Sequence, residues 1–168
     1  MNITLHNWTS ADKEALIELC NAVDRTFLSD QLPNPYTEAD ADWWLGMVAE
    51  NEGKEGVWRS IWTDGQLVGS ISVERKNDGG QAIGEIGYMI LTPWWSQGIG
   101  TESVRQISEI AFQELMLEQI IGQVFPENVA SARVLEKNGF RLEETKTGSV
   151  VKGRKAMDVK VYRLDFRD

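Results

Sequence analysis

The chain has 168 residues, a length that fits one domain and buries roughly two-thirds of its unfolded surface without a disulfide or metal staple. Its 26 acidic residues outweigh 17 basic ones, and the net charge of −9 argues against nucleic acid as the main ligand, because phosphate neutralisation dominates such binding. One cysteine, Cys20, and one histidine, His6, exclude an internal disulfide and multi-cysteine metal sites and leave little room for histidine-based triads.

Met1-Asn2-Ile3-Thr4 lacks the charged and apolar regions of a signal peptide, and no apolar run approaches the roughly 18 residues of a membrane span. With a lone thiol, this predicts a reducing, cytoplasmic setting. Ile3 to Trp8 reads as a strand. Thr9-x-x-Asp12 forms a capping box for a helix through Val23, whose apolar stripe is Leu16, Leu19, Cys20 and Val23. No His or Asn context marks Cys20 as a nucleophile, so it reads as a packed thiol. Arg25 to Pro35 is a loop broken by Pro33 and Pro35. Thr37-x-x-Asp40 caps a second helix with Trp43, Trp44, Met47 and Val48 on one side.

Val57 to Thr63 and Gln66 to Glu74 form a hairpin around Asp64-Gly65, a strong two-residue turn signal. Asn77 to Gly80 is a second turn, into the strand Ala82 to Leu91. A helix from Gly100 to Leu117 buries Val104, Ile107, Ala111 and Leu115. The strand Gln119 to Val124 follows, then a short helix after Asn128 that stops at Gly139. Arg141 to Phe166 reads as a hairpin turned at Lys152-Gly153, with Asp158 standing before the terminal strand. The order β-α-α-β-β-β-α-β-α-β-β predicts an α/β sandwich with a mixed sheet, containing one right-handed βαβ crossover.

The richest segment runs from Glu85 to Phe140. Its strand leads through a short turn to Gln97-Gly98-Ile99-Gly100-Thr101, which opens the amphipathic helix. A glycine-flanked turn at a helix start leaves backbone N–H groups free for an anion, a phosphate cradle, although close helix–strand packing also selects glycine. Downstream stand Asn128-x-x-Ser131 and Lys137-Asn138-Gly139-Phe140. In order and spacing this segment resembles the GNAT superfamily of N-acyltransferases. The family's Q/R-x-x-G-x-G/A loop is similar to Trp95 to Gly100, and its N-x-x-S…K-x-G-F element to Asn128 to Phe140. The resemblance extends to the C-terminus and weakens over about the first eighty residues. Trp95 stands where Gln or Arg is usual, as in the branch containing ribosomal-protein N-terminal acetyltransferases and spermidine acetyltransferases.

The resemblance implies one domain over residues 1–168, with a mostly antiparallel sheet of about seven strands flanked by about four helices. It implies acetyl-CoA as acyl donor, no metal, an amine acceptor, and a monomer or homodimer. The pantetheine arm pairs like an added strand with the backbone of Met89, Ile90 and Leu91, where two parallel strands splay. Pro93, which donates no backbone bond, suits a strand end there. The pyrophosphate rests on Gln97 to Thr101, with Asn128 and Ser131 facing the CoA. The acceptor pocket falls at Tyr36, Trp43 and Trp44; aromatic faces hold cations, but such a pair on an amphipathic helix also builds core.

Acyl transfer to an amine needs a neutral amine, a polarised carbonyl and a place for the thiolate. Glu85, thirteen residues before Gly98, lies close to the family's catalytic strand glutamate and is the expected base; the other reading is a salt-bridged strand residue. The family often sets a tyrosine acid seven residues after the motif asparagine, where this chain has Leu135. A thiol with pKa near 8.5 leaves fairly well without full protonation. Ser131 either donates a hydrogen bond to the sulfur or simply opens a helix, and Asn128 is both N-cap and CoA-facing. The acceptor is expected to be a primary amine, with a protein N-terminus ahead of small amines such as polyamines and aminoglycosides. The acidic surface suits a cation, or serves solubility alone. Two rivals remain: a non-catalytic CoA-binding module and another nucleotide binder, the latter disfavoured because neither a Walker lysine nor a ribose-binding acid is present.

Overall fold

The computed structural model describes residues 1–78 and 80–167, without the side chains of residues 77 and 78. Strand β1 (Ile3–Asn7) is followed by helices α1 (Lys13–Ala22) and α2 (Glu38–Asn51) and strands β2 (Gly56–Thr63), β3 (Gln66–Asp78) and β4 (Gln81–Ile90). Helix α3 (Ile99–Leu115), β5 (Gln119–Val124), α4 (Val129–Lys137), β6 (Arg141–Lys152) and β7 (Lys155–Asp165) complete the chain. One seven-stranded sheet has the order β1-β2-β3-β4-β5-β7-β6, with β4–β5 its parallel pair. The predicted element order and the mixed, mostly antiparallel sheet are both present. The turn expected at Asn77 to Gly80 includes residue 79 and lies partly outside the described residues.

Local chemistry sets most boundaries. At Thr37 the box is closed by Asp40 N–H donating to Thr37 Oγ1 at 3.2 Å and Thr37 N–H donating to Asp40 Oδ2 at 2.8 Å. Thr9 N–H likewise donates to Asp12 Oδ2 at 2.9 Å, but this box starts a 3-10 turn, Ser10–Asp12, that runs into α1. Asp64 and Gly65 have φ of 52° and 73°, the double left-handed conformation of a tight hairpin turn. Several boundaries differ from expectation, and β3 runs on to Asp78 rather than ending at Glu74. Met116 adopts φ 53° and stops α3 at Leu115 rather than Leu117. The last hairpin turns at Gly153-Arg154, where both φ are positive, so Lys152 stays in β6. Asp158 lies inside β7, not ahead of it.

The sheet is buried on both faces. On one, α3 and α4 pack Ile99, Val104, Ile107, Leu115 and Leu135 against Val57, Ile61, Ile71, Val73, Ile86 and Ile120. On the other, α1 and α2 pack Leu16, Leu19, Cys20, Ala41 and Val48 against Trp8, Tyr36 and Trp58. Each such side chain contributes roughly 1.5–3 kcal/mol when fully buried. Trp44 and Met47 join this second cluster, but Trp43 is 70% exposed, because it lies two residues from Ala41 and so off the Ala41–Trp44–Val48 stripe.

The β4–β5 ladder is short. It pairs Ile83 with Gln119 through Ile86 with Gly122 and ends there, although β4 continues to Ile90 and β5 to Val124. Strand β4 stays with β3 through Gly69–Ile90, and Leu91 N–H donates to Val68 O at 2.9 Å. Strand β5 stays with β7 to Val124–Lys160. The two strands therefore splay at their C-terminal ends. Gly69 lets β3 and β4 remain close beside this gap: a Cβ there would run into the Met89 carbonyl oxygen and stand 3.2 Å from Ile61 Cδ1 and Ile90 Cγ1. Gly69→Ala is expected to lower the unfolding free energy by about 1–3 kcal/mol. Gly87→Ala on β4, where a Cβ meets nothing within 4 Å, should shift it by less than about 0.5 kcal/mol. Denaturant titrations of both variants check the pair, and equal losses would show that the close approach is not what makes position 69 special.

Candidate active site

Beyond Ile90 the chain makes a 3-10 turn, Thr92–Trp94, holding Pro93 where no N–H is required. Ser96 and Gly98 then take φ of 60° and 82° before α3 begins. The first α-helical bond runs from Glu102 N–H to Gly98 O at 3.1 Å, so the N–H groups of Ile99, Gly100 and Thr101 have no acceptor within the helix. They lie at the positive end of a 17-residue helix. A Cβ on Gly98 would meet nothing within 4 Å; its backbone conformation is what demands glycine. At Gly100 a Cβ would sit 3.5 Å from Val134 Cγ2, so that glycine borders the α3–α4 contact.

Two side chains brace the loop. Gln97 Nε2 donates to Pro93 O at 3.0 Å, and the Trp95 indole N–H donates to Ile90 O at 2.7 Å. Trp95 thus ties the loop to the end of β4. Glu102 puts a carboxylate in the first helical turn, where it would oppose an anion. Arg105 grips both its oxygens at 2.8 Å and Gln106 adds a third bond, which together hold that carboxyl down at about 2 and spend its charge sideways. Asn138 Nδ2 donates to Thr101 O at 3.1 Å and Val134 O at 3.0 Å, fixing the end of α4 to the start of α3.

The splayed gap opens beside this loop. Because strand residues alternate, Leu91 and Met89 turn their backbone groups to β3, while Tyr88 and Ile90 turn theirs to the gap. Of the three strand residues expected to line a pantetheine arm, Ile90 faces the gap; Met89 and Leu91 pack their side chains on the α1/α2 cluster. Tyr88, absent from the expected site, reaches across to α4. Its hydroxyl lies 2.6 Å from Ser131 Oγ, and Ser131 N–H donates to the N-cap Asn128 Oδ1 at 3.2 Å. Burial pushes the Tyr88 phenol up, partly offset by the Ser131 hydrogen bond. The even spacing of Ile86, Tyr88 and Ile90 was the available signal for its side. Leu135 is 1% exposed and fills the space above Gly122, where a Cβ would come within 2.9 Å of Leu135 Cδ1.

Glu85 lies on the opposite face of β4 from Tyr88, at the closed end of the gap. Its Oε1 accepts from Lys76 Nζ at 2.8 Å and from Gln123 Nε2 at 3.5 Å, and its side chain is 36% exposed. Glu74 stands directly across the ladder. That residue is solvent-exposed, yet desolvation by neighbouring groups and the Glu85 charge raise its carboxyl.

The three aromatic residues expected to hold an acceptor do not form one pocket. Tyr36 is buried, bonded to Asn21 by its N–H and its carbonyl at 2.9 Å each, and burial pushes its phenol up. Trp44 meets Trp8 edge-on at 5.4 Å, and Trp43 stands apart in solvent. A feature invisible in the sequence involves the loop shortly before Tyr36: Lys152, at the β6–β7 tip, donates to Arg25 O at 3.0 Å and to Leu28 O, and Gly153 N–H donates to Asp30 Oδ2 at 2.7 Å. The hairpin tip is thereby clasped to the loop preceding α2.

The chain belongs to the GNAT acetyltransferase family: the model of the acetyltransferase (GNAT) domain matches residues 2–141. Over 81 residues it is 40% identical to a probable N-acetyltransferase, YjcK, of Bacillus subtilis, covering 48% of this chain and 45% of that one. The chain spans about half the length of the curated relatives it matches. The fold is also that of a ribosomal-protein-S5-alanine acetyltransferase from Vibrio fischeri, with a TM-score of 0.87 at 16% identity over 100% of this chain and 95% of that one. A spermidine N-acetyltransferase from Vibrio cholerae, solved with CoA and spermine, gives 0.80 at 17% identity over 97% and 95%. At such identities these structures establish the fold alone. No helix among the described residues is long and apolar enough to cross a membrane.

The cradle can be probed without an assay of turnover. Asp and Asn both tolerate the left-handed conformation at position 98, but only Asp adds negative charge at the helix start. Calorimetry should therefore find CoA affinity in Gly98→Asp at least about tenfold below that of Gly98→Asn. Equal affinities in two folded variants would remove the loop from the binding site.

Proposed function

We propose that the protein is an N-acetyltransferase that moves acetyl from acetyl-CoA to a primary amine by direct attack in a ternary complex. The observation that carries this reading is the gap itself. The β4–β5 ladder stops at Ile86–Gly122 and leaves the backbone groups of Tyr88 and the N–H of Ile90 turned to the gap beside the start of α3, while the Ile90 carbonyl is held by the Trp95 indole. A pantetheine arm supplies amides for such an edge, and a pyrophosphate suits Gln97 to Thr101. Family membership and the acetyltransferase names of relatives support the chemistry.

In this reading Glu85 takes the proton released by the amine, directly or through water, from the α1/α2 side of the sheet. Ser131 donates a hydrogen bond to the departing sulfur from the α3/α4 side, and Asn128 fixes its helical turn. Trp44 borders the acceptor side with Tyr36 behind it, and Trp43 meets acceptors only at the rim. A protein N-terminus is the favoured acceptor. Its α-amine, with pKa roughly 7.7–8.0, is about a tenth neutral at pH 7, whereas a lysine near 10.4 is neutral in well under a thousandth of molecules. Polyamines are the second reading, favoured by the net charge of −9 and by the likeness to a spermidine acetyltransferase.

Glu85→Gln should reduce kcat by about a hundredfold while moving either KM by no more than about threefold. The deficit should narrow at high pH, where the amine is already neutral. Steady-state rates across pH settle this, and wild-type turnover near neutrality would make Glu85 a structural ion-pair residue.

For the acceptor, free-thiol release at pH 7 should give kcat/KM for short peptides with free N-termini about a hundredfold above N-blocked lysine peptides, with spermidine below the former. A preference for spermidine would exchange the first reading for the second. Tight CoA binding with no turnover of any amine would point to a non-catalytic CoA-binding protein instead.

A further inference from the structure

We infer that Tyr88 is a positioning residue for Ser131: its phenol donates to Ser131 Oγ and so turns the serine's own O–H toward the departing CoA sulfur. The inference rests on the reading of this cleft as an acetyl-transfer site with Ser131 beside the sulfur. It starts from a 2.6 Å contact between two half-buried hydroxyls on opposite walls of the gap. Tyr88 comes from β4 just past the last β4–β5 rung, and Ser131 from the helix that follows β5. The pair therefore spans the opening beside the strand groups that face it.

Chemistry assigns the donor. A phenol is more acidic than an alkanol, so in a short pair the phenol gives its hydrogen and the alcohol accepts. Burial, which raises this phenol, keeps it protonated at neutral pH. The second acceptor near the phenol, Ser131 O, is 3.5 Å away and too far to compete. With one lone pair engaged and its backbone N–H fixed on Asn128, Ser131 has one hydrogen left to donate, that of its O–H. Leu135, at the position of the family's tyrosine acid, is enclosed in the core and offers no hydrogen.

The atoms balance without a full proton transfer from the pair. The amine nitrogen bonds the acetyl carbon, the C–S bond breaks with its electrons going to sulfur, and the amine's surplus proton passes to Glu85 or water. A thiol with pKa near 8.5 holds a proton far less tightly than an alcohol, so the thiolate accepts a hydrogen bond from Ser131 and takes its proton from solvent as CoA leaves. The Tyr88 bond polarises the serine and strengthens that donation.

A mere strut between β4 and α4 would act differently, and the bound CoA thiol distinguishes the two. Ultraviolet titration of the thiolate in the enzyme–CoA complex should show a thiol pKa higher by about half a unit to one unit in both Tyr88→Phe and Ser131→Ala than in wild type. Each variant should lose about tenfold in kcat with KM for acetyl-CoA nearly unchanged, and the double variant should be no slower than either single one. If Ser131→Ala leaves both thiol pKa and kcat at wild-type values, the placement of Ser131 at the sulfur fails. If Ser131→Ala shows the effects and Tyr88→Phe does not, or the two losses multiply, the positioning role alone is overturned. Should Tyr88→Phe not fold, 3-fluorotyrosine at position 88 keeps the bond with a more acidic donor. It should lower the bound-thiol pKa, and no change would again overturn the role.

Discussion

The rest of the site depends on a strand that is paired along one edge and abandoned along the other. Backbone N–H and C=O groups withdrawn from water demand partners, so an open edge inside a fold is a template for another extended chain. Here β3 holds β4 to its end, while β5 departs with β7 after four rungs. Ile86, Gly122 and Leu135 close-pack at the last rung, and beyond it Tyr88 reaches over to α4 instead of letting the strands meet. The indole of Trp95 satisfies the Ile90 carbonyl at the mouth. The same strand then delivers the chain into the α3 start, so the edge and the anion cradle are consecutive in sequence and adjacent in space.

Under the proposed function a protein with net charge −9 receives a polyanion, a task to which local dipoles are suited. The amides of Ile99 to Thr101, without acceptors in the helix, offer such dipoles, and the Glu102–Arg105 pair keeps the nearby carboxylate occupied. Such amides are fixed by the helix and need no reorganisation when an anion arrives.

Burial sorts the reactive groups. The Cys20 thiol is pushed up to about 12 by desolvation and is inert, and Tyr36 and Leu135 belong to the two cores. What remains half-exposed at the gap is a short set with distinct capacities: a carboxylate at Glu85, and the hydroxyls of Tyr88 and Ser131 on the other side of the sheet. That division leaves the Glu85 carboxylate, held by Lys76, on one face of the sheet and the paired hydroxyls of Tyr88 and Ser131 on the other.

Much of this was legible in the chain because it is local. Capping boxes at Thr9 and Thr37, the Asp64-Gly65 turn, the left-handed Gly98 and Gly139, and the stripe Val104, Ile107, Ala111, Leu115 are satisfied within a few residues, so periodicity and turn chemistry determine them. The loop from Trp95 to Thr101 and the Asn128–Ser131 turn carry the family signature for the same reason. Only the tertiary structure decided where long-range partners meet. The identical alternation of β4 places Glu85 and Tyr88 on opposite faces, but which face meets α4 depends on sheet order. The partial burial of Trp44 beside the exposed Trp43 depends on Trp8 meeting it edge-on from just past the end of the first strand. The clasp of Lys152 on the carbonyls of Arg25 and Leu28, across more than a hundred residues, leaves no trace in either segment's pattern. Nor does the end of the β4–β5 ladder, because strand structure continues to Ile90 in β4 and to Val124 in β5, and only their divergence in space ends the rungs at Ile86–Gly122.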